Sequence, residues 1–125
     1  MNFKHKSFKE SIYCALCGLA DAWRSERNMR FHTAAAVAAV AVGGWFRLTP
    51  MEWLFLFSAV FLVMTMEMLN TSLERVVDLF TREYHPLARL AKNAAAGAAL
   101  LAAIYAIIVG FLVFGPYVAE SFNLF

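Results

Sequence analysis

Met66-Glu67-Met68-Leu69-Asn70-Thr71-Ser72-Leu73-Glu74-Arg75-Val76-Val77-Asp78 continues from an uncharged run of fourteen residues, Trp53 to Met66. The run reads as hydrocarbon-spanning. Glu67, Asn70, Glu74 and Asp78 follow at offsets of 3, 7 and 11. At roughly 100° per residue the four fall within an arc of about 80° on one helix face. A carboxylate within a membrane helix costs roughly 2.5–3.5 kcal/mol on the insertion scale. Three on one face read as a site.

Working outward, the 125 residues are 62% hydrophobic and only 16% charged, too apolar for a soluble domain of this length. The chain lacks the polar residues to cover a small domain's surface. The reading is a single all-α domain over residues 1–125 embedded in a membrane. A net charge of +2 is too small to argue for nucleic acid, and none is expected as a partner. Cys14 and Cys17 form a lone Cys-x-x-Cys with only His5 nearby. Zinc needs two further ligands and a redox motif needs a thioredoxin-like context, so both read as small apolar residues.

Upstream, Phe8, Ile12, Leu16, Leu19 and Trp23 recur at spacings of 4, 4, 3 and 4. This predicts an amphipathic surface helix over 7–28. Three membrane helices follow, over 29–48, 51–82 and 91–118, each long enough for one crossing. The first is built on Ala34 to Gly44, and the last repeats alanine every four residues from Ala91 and again from Ala94. In lipid, small residues let helix backbones approach closely. Trp45, Phe46 and Trp53 read as an interfacial aromatic belt. No apolar run follows the first charges soon enough for a signal peptide, so a retained N-terminus is expected.

Lysine and arginine set the orientation. Lys4, Lys6, Lys9, Arg24, Arg27 and Arg30 lie before or at the very start of the first span, and Arg75, Arg82, Arg89 and Lys92 surround the loop after the second. The positive-inside rule puts these and the N-terminus in the cytoplasm and the C-terminus outside. The acidic face then opens to the cytosol.

Glu67 sits at the lipid boundary and Glu74 about 10 Å further along the helix axis, nearer water. A desolvated carboxylate suits a general base, whereas one nearer water can share Mg²⁺ with substrate phosphates. Glu26 offers a second oxygen ligand, and Lys92 can neutralise phosphate charge. These are the parts that phosphoryl transfer uses. No Walker-type loop or protein-kinase signature is present. For Glu67 and Glu74 the bland alternative is a structural ion pair across helices, to Arg27 or Lys92. Asp78 has its own, a pair with Arg75 or Arg82. His32 and His85 read as hydrogen-bonding boundary residues rather than metal ligands.

Glu67-Met-Leu-Asn70-Thr-Ser-x-Glu74-x-Val-Val-Asp78, then Glu83-Tyr84-His85-Pro86-Leu87-Ala88 and Ala91-Lys92, resemble the prokaryotic diacylglycerol kinase family. Gly18-Leu19-x-x-Ala22-Trp23-x-x-Glu26-Arg27-Asn28-x-x-Phe31-His32 extends the likeness. The resemblance covers roughly residues 8–112. It implies a homotrimer in the bacterial inner membrane that phosphorylates a lipid alcohol with MgATP. By matching position, Glu67 is the base with Asn70 beside it, and Glu26 and Glu74 are metal ligands that also contact the nucleotide. Glu83, Tyr84, His85, Lys92 and Asn93 lie at the nucleotide, with Asp78 in support. The family places aspartate where this chain has Asn93, which keeps hydrogen bonding and loses a charge. Ser7 and Cys14 stand where some members contact ATP through arginine and tyrosine, and those contacts do not carry over. Ser25 to His32 and His85 to Ala88 resemble the undecaprenol-kinase branch more than the enterobacterial one, which favours undecaprenol over diacylglycerol. A non-catalytic helical scaffold is the competing class, and a trimeric cation channel a weaker one.

Overall fold

A computed structural model describes residues 7–123; His5, Lys4 and Lys6 lie outside them. The described residues form four helices and no strand: α1 (Phe8–Ser25), α2 (Arg27–Phe46), α3 (Pro50–Phe80) and α4 (Pro86–Ser121).

Each start has a chemical cause. Ser7 and Glu10 form a capping box, with Ser7 N donating to Glu10 Oε2 at 2.9 Å and Glu10 N to Ser7 Oγ at 3.3 Å. Thr49 and Glu52 repeat it, followed by Pro50 at the first helical position. His85 caps α4 by accepting the Leu87 N–H on Nδ1 at 3.2 Å, again with proline next. Such caps satisfy N–H groups that the helix leaves unpaired.

Every helix end is shifted from the sequence reading by one to five residues, and α4 runs on to Ser121 rather than 118; three of the shifts have a local cause. The surface helix ends at Ser25 rather than residue 28, because Glu26 takes an extended conformation (φ −108°, ψ 118°) and breaks α1 from α2. Arg30 stabilises the break, its NH1 donating to the carbonyls of Trp23 at 3.1 Å and Arg24 at 2.7 Å. α4 begins at Pro86 instead of 91, since proline starts a helix as readily as it breaks one. α3 stops at Phe80, where Thr81 becomes extended and turns back on Glu83.

α3 and α4 are long and apolar enough to cross a membrane. α2 has 20 residues but opens with Arg27, Asn28, Arg30 and His32, which lower its hydropathy. Large apolar side chains stand exposed along the two long helices, including Phe61, Leu101, Phe111 and Leu112, the last three at least 70% exposed. Water would penalise that surface; lipid would not.

α3 and α4 make the most extensive helix contact, and α2 lies on α3. Leu48, Leu56, Ala59, Val109 and Val113 form a buried cluster at the end away from Glu67, Glu74 and Asp78. Two of the three expected belt aromatics pack against it. Phe46 stacks on Tyr117 at 5.3 Å and Trp53 on Phe57 at 5.5 Å, leaving only Trp45 largely exposed. Aromatic area at a helix junction is better used against neighbouring side chains than against headgroups. Polar ties reinforce the junction: Tyr117 Oη donates to Glu52 Oε2 at 2.6 Å, and Ser58 Oγ lies 3.1 Å from Tyr105 Oη.

Candidate active site

α3 carries the site because it extends past the apolar run without a break. Its helical register turns Glu67 and Thr71 inward, and both are buried. Glu67 Oε1 lies 3.3 Å from His32 Nε2 of α2. The partner is therefore histidine, neither the Arg27 nor the Lys92 of the bland reading. Phe31 meets the imidazole edge-on at 5.5 Å. Burial leaves the carboxylate short of water, so the histidine contact carries much of its polar stabilisation.

One turn on, Asn70 Nδ2 approaches Glu74 Oε1 at 3.5 Å, while Asn70 Oδ1 is buried without a hydrogen-bond partner. The Glu74 carboxylate is a hard oxygen donor of the kind Mg²⁺ takes, and the Asn70 amide turns its nitrogen toward it. The fit is partial: among the described residues no three His, Cys, Asp or Glu side chains cluster closely enough to hold a metal alone. Mg²⁺ commonly uses one or two carboxylates and completes its shell with water and phosphate oxygens.

Glu26 reaches this neighbourhood through the chain. Arg75 of α3 donates from NH1 to Asp21 Oδ2 at 2.6 Å and from NH2 to Ser25 Oγ at 2.9 Å. Ser25 precedes Glu26 and Arg75 follows Glu74, so this clamp joins the two backbone segments that carry the candidate ligands.

The α3–α4 turn forms a second sub-site. A cavity of about 190 Å³ is lined by Thr81, Arg82, Glu83, Tyr84, His85, Arg89 and Lys92, with Val77 and Ala88. It gathers Glu83, Tyr84, His85 and Lys92 as the resemblance implies. Lys92 Nζ pairs with Asp78 Oδ1 at 2.6 Å, so Asp78 bonds neither Arg75 nor Arg82. Asn93 is exposed and outside that lining. The sequence pattern did not single out Arg89 or Arg82 for this cavity, although their charge beside a tyrosine suits an anionic ligand.

An apolar groove of about 370 Å³ runs between α2 and α4 over a floor of α3. His32 and Phe31 stand at one end with Met64 and Ala103; Ala39, Leu56 and Phe114 close the other. Along α4 this is roughly 16 Å, from a rise of about 1.5 Å per residue. The polar end of the groove is the histidine that touches Glu67.

Residues 13–114 match the prokaryotic diacylglycerol kinase family. The chain is 39% identical to an undecaprenol kinase of Bacillus subtilis over 92% of its length and 93% of the relative. It is 45% identical to a diacylglycerol kinase of Synechocystis over 80% of its length and 58% of that relative. A diacylglycerol kinase of Escherichia coli is 38% identical over 73% of this chain and 75% of its own. The chain belongs to the prokaryotic diacylglycerol kinase family, a family of lipid kinases.

Proposed function

We propose that this chain phosphorylates a membrane lipid alcohol with ATP at the cytoplasmic interface, undecaprenol being the favoured acceptor. The observation that carries the reading is the buried Glu67, held by His32 at the polar end of an apolar groove. A lipid with its tail in the groove would bring its hydroxyl to that end, within the reach a general base needs. The likeness to an undecaprenol kinase over nearly the full length of both chains supports the isoprenoid. Diacylglycerol is the alternative acceptor, named for the Synechocystis and Escherichia coli relatives.

In this reading Glu67 accepts the hydroxyl proton and Asn70 orients groups beside it. Glu26 and Glu74 would hold Mg²⁺, which when bound would supply neutralisation of phosphate charge. Glu83, Tyr84, His85, Lys92 and Asn93 receive the nucleotide, with Lys92 drawing charge from the transferring group. Asp78 keeps the lysine ammonium aimed.

α2 serves as a third span beside α3 and α4, with α1 on the cytoplasmic surface, the N-terminus inside and the C-terminus outside. This follows the distribution of lysine and arginine. A homotrimer is the expected assembly. Ala34, Ala35, Ala38 and Ala41 of α2, and Ala94 and Ala98 of α4, remain exposed in one chain and suit close helix contact between copies.

The test is phosphate transfer from labelled ATP by purified protein in mixed micelles, with undecaprenol and diacylglycerol offered separately. Transfer to undecaprenol in clear preference supports the reading, and preference for diacylglycerol moves the assignment to the alternative. No transfer to either from folded protein favours a scaffold that lost turnover through Asn93, and makes Asn93→Asp the next variant.

A further inference from the structure

We infer that His32 is a positioning residue for phosphoryl transfer, acting through Glu67; the inference rests on the lipid-kinase reading above. Glu67 has one side-chain partner among the described residues, and it is His32 Nε2 at 3.3 Å from Oε1. Both groups are largely withdrawn from water, with side-chain exposures of 20% for His32 and 9% for Glu67. The two residues sit on different helices, so the contact fixes the carboxylate relative to α2 as well as α3. With Oε1 set against the imidazole Nε2, Oε2 is the oxygen left to face an incoming hydroxyl. Carboxylate lone pairs are directional, and a base that rotates freely spends most of its time misaligned.

The step balances without a further reactant. The lipid oxygen forms a bond to the γ-phosphorus, and the bond from that phosphorus to the β,γ-bridging oxygen breaks, its electron pair leaving with ADP. The hydroxyl proton passes to Glu67 Oε2. His32 touches none of the reacting atoms. It keeps Oε2 pointed at them, and its own place at the groove's polar end puts the hydroxyl and the base on the same side of α2.

The experiment compares His32→Gln, His32→Asn, His32→Leu and Glu67→Gln with the parent chain, reading kcat and both KM values in mixed micelles. Glutamine carries an N–H at about the reach of Nε2; asparagine is too short, and leucine has no donor. The expected result is a roughly 10- to 100-fold loss of kcat in the Asn and Leu variants, the scale of losing one polar contact to a buried carboxylate. KM for ATP should stay within about twofold, and the Gln variant should recover most of kcat. Parent-like kcat in Asn and Leu, or equal losses in all three His32 variants, overturns the inference. Should one of Asn and Leu fail to fold, the other against Gln carries the same comparison. Turnover that survives Glu67→Gln sinks the underlying reading instead. A dead Glu67→Gln beside fully active Asn and Leu variants sinks only the role of His32.

Discussion

Lys92 Nζ and Asp78 Oδ1 lie 2.6 Å apart and join α4 to α3 across the turn that carries Glu83, Tyr84 and His85. Both side chains are more than a third exposed, so solvent screens the pair and its worth to stability is small, about 0–1 kcal/mol. Its worth to function is positional. An ammonium has three donors, so Lys92 can keep Asp78 and still meet a phosphate. Lys92→Met should therefore lower kcat/KM for ATP by roughly 10²–10³, the range for losing one preorganised donor at developing charge. Asp78→Asn retains a partner for the lysine and should stay within about tenfold of the parent. Kinetics at varied ATP, with thermal melts as a folding control, check this. Equal losses in both would remove Lys92 from the nucleotide site and leave a structural pair.

Much of this arrangement is legible in the sequence, for a physical reason. The spacing of Glu67, Asn70, Glu74 and Asp78 is a property of one helix, and helical geometry alone puts them on one face. Partners on other helices are not encoded in that way. That His32 meets Glu67, and that Lys92 takes Asp78, depends on how far α2 and α4 slide along α3. Periodicity says nothing of such offsets. The kink at Glu26 was hidden because Trp23 to Met29 contains neither glycine nor proline, and the break is made by Arg30 bonding back to carbonyls of α1. Pro86 misled in the opposite direction: a proline between polar residues reads as a loop until its first-turn position is known. Phe46 and Trp53 look like belt aromatics by position, yet α4 supplies Tyr117 and Val113 to cover that end.

Glu67 and Glu74 should separate chemistry from metal binding. Glu67→Gln keeps the shape and a contact for His32 but cannot take a proton. It should lower kcat by about 10²–10⁴ while leaving MgATP affinity within about twofold. Glu74→Gln weakens a ligand to a hard cation and should raise the Mg²⁺ concentration needed for half-maximal nucleotide binding, as well as lowering kcat. Calorimetric titration of MgATP alongside turnover distinguishes them. Identical binding and kinetic losses for the two variants would remove the division of labour.

The Arg75 clamp gives a prediction about activity with little effect on stability. Asp21 and Arg75 are both more than half exposed, so their pair contributes at most about 1 kcal/mol to folding. Yet it holds the end of α1 beside α3, at the residues next to Glu26 and Glu74. Arg75→Ala should leave the melting temperature nearly unchanged and raise KM for MgATP several-fold. Asp21→Ala should do the same more weakly, because the Ser25 contact survives. An intact KM in Arg75→Ala would mean that α1 is held in register by its apolar face alone.

Gly43 tests the fold far from the acidic face. A Cβ at this position would lie 2.9 Å from Leu48 Cδ1 and 2.9 Å from Trp53 Cη2, where α2 turns back toward α3. Gly44, its neighbour, has no atom within 4 Å of the same added carbon. Both lie in one helix, so alanine's better helix propensity, about 0.8–1 kcal/mol over glycine, applies equally to each. The difference between Gly43→Ala and Gly44→Ala then isolates the clash. Leu48 is buried in the cluster with Leu56 and Val109, and Trp53 is stacked on Phe57, so neither side chain yields without disturbing others. Overpacking of this kind costs about 1–3 kcal/mol. Gly44→Ala should melt at or above the parent temperature in detergent, and Gly43→Ala clearly below Gly44→Ala. Because Glu67 and His32 sit toward the opposite end of α2 and α3, whatever Gly43→Ala protein remains folded should keep its KM for ATP. Matching melting temperatures for the two variants would mean that Leu48 and Trp53 give way freely, and that the junction at Arg47 is looser than its contacts imply.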